Sequence, residues 1–133
     1  QIAGYCAANG TTNRVYLVGQ KTAPEVARYM QASDILCIPS DNEGVPNVAF
    51  EAMACGLPVV ATRVGGIPEV VDRDFLGSLI DRGDENALVA ALDDHFQNRR
   101  PGDQIAGHAQ KFSWDKTTDA YLKVLENVVS RAR

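Results

Sequence analysis

The stretch Ile35-Leu36-Cys37-Ile38-Pro39-Ser40-Asp41-Asn42-Glu43-Gly44-Val45-Pro46-Asn47-Val48-Ala49-Phe50-Glu51-Ala52-Met53-Ala54-Cys55-Gly56-Leu57-Pro58-Val59-Val60-Ala61 holds two short apolar runs with one helical segment between them. Ile35 to Ile38 is continuously apolar and stops at Pro39, and Pro58 to Ala61 repeats the pattern after Gly56. Continuous rather than alternating apolar residues suit a strand buried on both faces, as in a parallel sheet covered by helices. Pro46 to Cys55 reads as the intervening helix. A proline is tolerated in its first turn, where amide hydrogens lack helical partners, and Gly56 supplies the stop.

Working outward, Val15 to Val18 ends at Gly19 and reads as another buried strand, while Leu76 to Ile80 is a shorter and more ambiguous one. Pro24 to Ala32 is expected to be a helix packing through Val26, Ala27, Tyr29 and Met30. Ile67 to Val71 is a brief helical turn, with Pro68 near its start. Asp84 to Phe96 carries Ala87, Leu88, Ala91, Leu92 and Phe96 at helical spacing, with Asp84 placed to cap the first turn. After the break at Arg99-Arg100-Pro101-Gly102, helices are expected over Asp103 to Lys111 and from a Ser113 cap onward. The last helix aligns Tyr121, Leu125, Val128 and Ala132 on one face, and Trp114 is expected to anchor it in the core or between helices. These βαβ units predict an α/β fold, a Rossmann-like three-layer sandwich with a mostly parallel sheet.

The chain has 133 residues, enough for one domain. With 45% hydrophobic residues it has the material for a core, which argues against disorder. Thirteen basic residues against seventeen acidic ones give a net charge of −4, so there is no broad basic footprint for nucleic acid. Cys6, Cys37 and Cys55 show no Cys-x-x-Cys pair and sit in apolar surroundings. They are expected to be buried, reduced thiols of a cytoplasmic protein, with no metal site. Asn9-Gly10-Thr11 fits a glycosylation sequon that matters only in a secreted chain. No membrane-spanning run or signal peptide is evident. The chain opens at Gln1 without a methionine and is expected to be part of a longer protein.

Chemistry concentrates between Pro39 and Glu51. The segment starts at the carboxyl end of a strand and enters a helix, the place where open parallel sheets bind ligands. Near Asn47 the helix offers unpaired amides and the positive end of its dipole, a seat for a diphosphate. Gly44 keeps the loop free of side chains, so a ligand can approach the backbone. Glu43 precedes the helix and Glu51 lies about one turn inside it. Carboxylates suit vicinal sugar hydroxyls, and they repel a phosphate placed directly beside them. That favours phosphates over the helix end, with sugar hydroxyls reaching outward to the glutamates. The plainer alternative makes Glu43 a solvated loop residue and Glu51 a surface charge.

The joined pattern Pro39-Ser40-x-x-Glu43-Gly44-x-Pro46-x-x-x-x-Glu51-Ala52-Met53-Ala54-x-Gly56-x-Pro58-Val59-Val60-Ala61, continued by Gly65-Gly66-Ile67-Pro68-Glu69-Val70-Val71, closely resembles the donor-binding domain of retaining glycosyltransferases of the GT-B fold, group 1 or family 4. Its hallmark is two glutamates separated by seven residues, here Glu43 and Glu51. The resemblance runs from about Arg14 to the Phe112-Ser113-Trp114 segment. It implies that residues 1–133 are an incomplete GT-B donor domain, a partial nucleotide-sugar-binding domain with its C-terminal helices at about 103–131.

Carried over by residue, the resemblance makes Glu43 the catalytic glutamate, contacting donor-hexose hydroxyls. Gly44, Val45, Pro46, Asn47 and Val48 would face sugar and diphosphate, Glu51 would hold the ribose hydroxyls, and Ser40, Gly65 and Gly66 would line the cleft. Asn47 departs from the aliphatic residue common at that position. The implied reaction is hexosyl transfer from a nucleotide sugar, with a UDP-sugar as the default donor, retention of configuration, and neither cofactor nor metal.

Implied partners are the nucleotide sugar and an amino-terminal acceptor-binding domain; a homodimer through an exposed sheet or helix surface and peripheral membrane association of the parent enzyme are left open. Two family strands with their diphosphate-neutralising Arg and Lys are not found, and Arg63 is a weak substitute. The fragment alone is therefore expected to be inactive. Closing the gap gives a four-stranded parallel sheet starting at Val15–Val18, paired to Ile35–Ile38, or a sheet completed by a second copy. A non-catalytic α/β interaction or regulatory module is the alternative function. Phosphorylases and epimerases of similar architecture fit the motifs less well.

Overall fold

The computed structural model describes residues 2–131. Its sheet is small and parallel: β1 (Leu36–Ile38), β2 (Val59–Thr62) and β3 (Gly77–Ile80), in the order β1-β2-β3. Leu36 aligns with Val59, and Val59 in turn with Gly77. Around the sheet lie α1 (Ile2–Ala8), α2 (Ala23–Gln31), α3 (Asn47–Ala54), α4 (Ile67–Val70), α5 (Glu85–Gln97), α6 (Gly102–Ala109) and α7 (Trp114–Arg131), with short 3-10 turns at Asp74–Leu76 and Gln110–Phe112.

Every residue of β2 is buried, which explains the apolar run Val59-Val60-Ala61 that the Thr62 hydroxyl closes. Central position closes both its edges, and helices close both its faces. On one face, Ile38, Val59 and Ala61 join Ala49, Ala52 and Met53 of α3, Ile105 of α6 and Met30 of α2 in the main core. Met53, Ile105 and the neighbouring Ile67 and Leu76 are fully buried. Truncating one such side chain to alanine costs about 2–5 kcal/mol. Two glycines permit close contacts here. A β-carbon on Gly77, whose φ is 152°, would lie 1.8 Å from the Val59 carbonyl oxygen. Gly56, with φ 76°, ends α3 and sits against the Gly102 backbone.

The opposite face carries Cys37, Val60 and Ser78 in register. Helix α5 covers it over β2 and β3, and its His95 reaches Ser78. Cys37 on β1 is left exposed. The expected full three-layer sandwich is therefore not completed within the described residues, and Cys37 is not the buried thiol that its apolar neighbours suggest. Cys6 is buried, Cys55 half-buried, and all three are free.

The four-stranded arrangement within the chain is also corrected. Val15 to Val18 forms no strand and does not pair with Ile35–Ile38; Tyr16 and Leu17 are well exposed. An apolar run forms a parallel strand only where a neighbour presents its edge in register, and β1 gains its only such partner, among the described residues, from β2. Helix α1 was not foreshadowed by any cap or periodicity.

The other helices fall close to expectation. Asp84 caps α5 by accepting from the Ala87 amide at 2.8 Å. Thr22 and Glu25 form a capping box on α2. The Ser113 hydroxyl accepts from the Lys116 amide at 3.4 Å at the start of α7. Two helix faces differ from their periodicity. Phe96 is exposed while His95 is buried, and Trp114 is 84% exposed instead of anchoring the core. Tyr121, Leu125 and Val128 of α7 are likewise exposed, and Ala132 lies outside the described residues. No helix among the described residues is long and apolar enough to cross a membrane.

His95 is the centre of a buried polar chain at the end of the sheet opposite the Pro39–Pro46 loop. Arg100 Nε donates to its Nδ1 at 3.3 Å, so Nε2 carries the proton and donates to Ser78 Oγ at 3.0 Å. Arg100 is in turn paired with Asp94. Desolvation, reinforced by the Arg100 charge and opposed by Asp94, lowers the His95 pKa below its ordinary value. The unfolded chain then binds more protons near and below pH ~6.5, so this contribution to stability is complete above that pH and lost as pH falls through it toward the folded value. Denaturation curves from pH 7.5 to 5 are expected to show this loss, reduced in His95→Gln. An equal pH slope in both proteins contradicts the assignment.

Candidate functional site

Because the three strands are parallel, the loops that leave their carboxyl ends gather on one edge of the sheet. The loop 39–46 follows β1, the segment 63–66 follows β2, and residues 81–84 follow β3. Arg82 at the third loop donates from Nε to Asp41 Oδ1 of the first at 2.8 Å, an exposed contact of little energetic weight.

The second loop supports the first through backbone. The Gly66 amide donates to the Gly44 carbonyl oxygen at 2.7 Å. A β-carbon on Gly65, where φ is 54°, would lie 1.8 Å from the Glu43 carbonyl oxygen, and one on Gly66 would lie 2.5 Å from Val45 Cγ2. The Gly65-Gly66 pair thus exists to let two loops touch. It backs the Glu43–Val45 loop.

Glu43 itself is half-buried, and its carboxylate accepts from Ser40 Oγ at 2.6 Å. Ser40 therefore contacts Glu43 directly. Thr62, at the end of β2, donates from Oγ1 to the Ser40 carbonyl oxygen at 2.6 Å and is itself buried. Sequence reasoning did not single out Thr62. Its one visible signal is a hydroxyl closing the otherwise apolar run Val59-Val60-Ala61.

Helix α3 begins at Asn47, with Pro46 at its N-cap and no side chain capping it. The Pro46 carbonyl oxygen accepts from the Ala49 amide at 3.0 Å, while proline has no amide hydrogen to offer. The amides of the first helical turn, including those of Asn47 and Val48, precede the first regular helical bonds and point outward from the positive end of the helix. Val45 is 53% exposed and stands at the lip of the loop.

Glu51 is exposed, one helical turn after Asn47 and on the same face. Both line a cavity of about 330 Å³ together with Phe50, Phe112, Trp114 and Thr117. Glu43 does not line that cavity; its carboxylate is held by Ser40 in the loop before α3. Phe50 and Phe112 pack with ring centroids 4.8 Å apart, closing its floor between α3 and the entry to α7. No local pattern marks Phe112, Trp114 and Thr117 as neighbours of Glu51, because about sixty residues separate them.

Arg63, the weak substitute for the cations expected near a diphosphate, follows β2 directly and is exposed. It reaches Asp81 at 3.8 Å and lines a separate cavity along β3 with Asp72, Arg73, Asp74, Ser78 and Arg100. That cavity is more voluminous, about 630 Å³, but its charges are mixed and no residue of α3 lines it.

The chain is similar to known proteins over most of its length. The chain is 37% identical over 124 residues to a D-inositol 3-phosphate glycosyltransferase of Corynebacterium jeikeium, covering 90% of this chain and 29% of that one. It is 35% identical over 120 residues to an uncharacterised glycosyltransferase of Methanocaldococcus jannaschii, covering 87% and 34% respectively. Sucrose-phosphate synthase from Thermosynechococcus elongatus superimposes with a TM-score of 0.85 at 31% identity, over 98% of this chain and 34% of that structure. The chain thus spans about a third of the length of these relatives, and its α/β architecture resembles the GT-B, Rossmann-like fold of the synthase. Residues 3–98 match the family described as Glycosyl transferases group 1, and the chain belongs to that family.

Proposed function

We propose that residues 1–133 are the nucleotide-sugar-binding part of a retaining hexosyltransferase. The observation that carries this reading is the uncapped start of α3 at the carboxyl edge of a parallel sheet, flanked by Glu43 and Glu51.

Each part of a nucleotide sugar has a chemical counterpart there. The diphosphate is seated over the Asn47 and Val48 amides, where partial positive charge meets the leaving group. The ribose hydroxyls donate to Glu51, inside the groove formed by Phe112, Trp114 and Thr117. The hexose lies toward Glu43, whose carboxylate accepts from its hydroxyls and opposes positive charge developing at the anomeric carbon. Gly44, Val45 and Pro46 approach the sugar chiefly with backbone, and Ser40, Gly65 and Gly66 hold that backbone in place.

In the reaction, the bond from the anomeric carbon to the diphosphate oxygen breaks and an acceptor hydroxyl adds on the same face. Its proton passes to the departing phosphate oxygen. Fixed dipoles and positioning supply the catalysis, with neither glutamate cast as a covalent nucleophile. The acceptor is bound by a part of the protein beyond these residues, in keeping with relatives three times as long. A UDP-sugar is the working donor. A three-layer donor domain, completed beside the open edge of β1, is the architecture in which this site operates.

Calorimetric titration of the full-length gene product tests the two glutamates separately. Glu51→Gln is expected to weaken UDP by about 1–3 kcal/mol, or roughly 5- to 150-fold. Unchanged affinity would return Glu51 to the surface. Glu43→Gln should leave UDP nearly unaffected and reduce the preference for UDP-glucose over UDP; equal losses for the two ligands count against its contact with the sugar.

A further inference from the structure

A glutamate on a loop has three side-chain torsions, and an accepting role at a sugar requires one of their combinations to be held. The Glu43 carboxylate is held by a relay that starts in the sheet. Backbone pairing between β1 and β2 ends at Ile38 opposite Ala61. Pro39 follows, and it has no amide hydrogen with which to extend the ladder. At this point a side chain takes over. Thr62 Oγ1 lies 2.6 Å from the Ser40 carbonyl oxygen and 3.4 Å from that of Ile38, so its single proton goes to Ser40.

Thr62 is 3% exposed, which makes that contact a fixed rung between the central strand and the loop. Ser40, anchored through its own carbonyl, donates its hydroxyl proton to Glu43 Oε1 at 2.6 Å, a length typical of a hydroxyl bonded to a carboxylate. That proton is then spent. The Ser40 hydroxyl has no hydrogen left to donate to a ligand, and Glu43 Oε2 is left to accept from one.

We infer that Thr62 and Ser40 are positioning residues for Glu43, setting how strongly the site distinguishes a nucleotide sugar from the bare nucleotide. This rests on the assignment of Glu43 to the hexose. The relay acts on the sugar end of the ligand, since neither residue lines the groove that contains Glu51. A purely structural role would weaken UDP and UDP-glucose together. A positioning role changes their ratio.

The test is the ratio of the Kd for UDP to the Kd for UDP-glucose, measured by calorimetry on the full-length gene product. Ser40→Ala and Thr62→Val are expected to lower it about 3- to 10-fold while Kd for UDP moves less than about twofold. Thr62→Ser, which keeps the hydroxyl, should restore the ratio to within twofold of the parent. In a Glu43→Gln background, Ser40→Ala should lower the ratio no further.

The inference is overturned if Glu43→Gln lowers the ratio and Ser40→Ala does not, or if Thr62→Ser behaves like Thr62→Val. If Thr62→Val binds neither ligand because it fails to fold, Ser40→Ala alone decides. An unchanged ratio in Glu43→Gln itself removes the hexose assignment, and the positioning role falls with it.

Discussion

The parallel pairing of β2 with both of its neighbours is the constraint on which the remaining architecture depends. A central strand with all four residues buried is apolar except where a polar side chain is partnered, as Thr62 is, and this one is flanked by strands running the same way and covered by helices on two faces. Parallel direction then delivers every strand-to-helix loop to one edge. The loop before α3, the Gly65-Gly66 turn and the α3 terminus meet there for that reason. The glycines complete the arrangement where side chains would collide: Gly77 beneath Val59 within the sheet, and Gly65 against Glu43 at its edge.

The His95 cluster and the candidate site lie at different ends of this sheet. The buried His95, with Ser78, Arg100 and Asp94, ties α5 to β3 and to the turn after it. Near that end, Leu57 and Pro58 lead into β2 and Ser33 and Asp34 approach β1; they share a cavity with His95. The carboxyl edge instead exposes Val45, Glu51 and Trp114 to solvent, and its one buried polar side chain at the loop base, Thr62, is satisfied by carbonyl oxygens of the chain leaving β1.

What could be read from the sequence follows from how local each determinant is. The segments β2 and α3 were legible because their information is contiguous: an apolar run, a proline entry, a glycine stop. Asp84 announced α5 in the same way. Val15–Val18 misled because an apolar run records suitability for burial and does not say which strand it would pair with; it leaves the outer edge of β1 unpaired among the described residues. The exposed Cys37 has the same origin, since α5 covers β2 and β3 but leaves β1 bare on that face. Phe96 and Trp114 show the limit of helical periodicity, which marks a stripe without fixing the surface it meets. In the candidate site, Glu43 and Glu51 stood out as carboxylates flanking the start of a helix, and the two glycines through the family resemblance. Thr62 and the Phe112–Trp114 wall did not, because only tertiary packing brings them to Ser40 and to Glu51.

The central claim is that the start of α3 seats the diphosphate of a nucleotide sugar. Titration of UDP into isotope-labelled protein, followed through backbone amide resonances, addresses it most directly. The account predicts that the largest shifts fall on the Asn47 and Val48 amides, with smaller ones at Gly44 and Glu51. Shifts centred on Arg63, Arg73 and Ser78, with Asn47 and Val48 unmoved, would place the ligand in the cavity along β3 and contradict it.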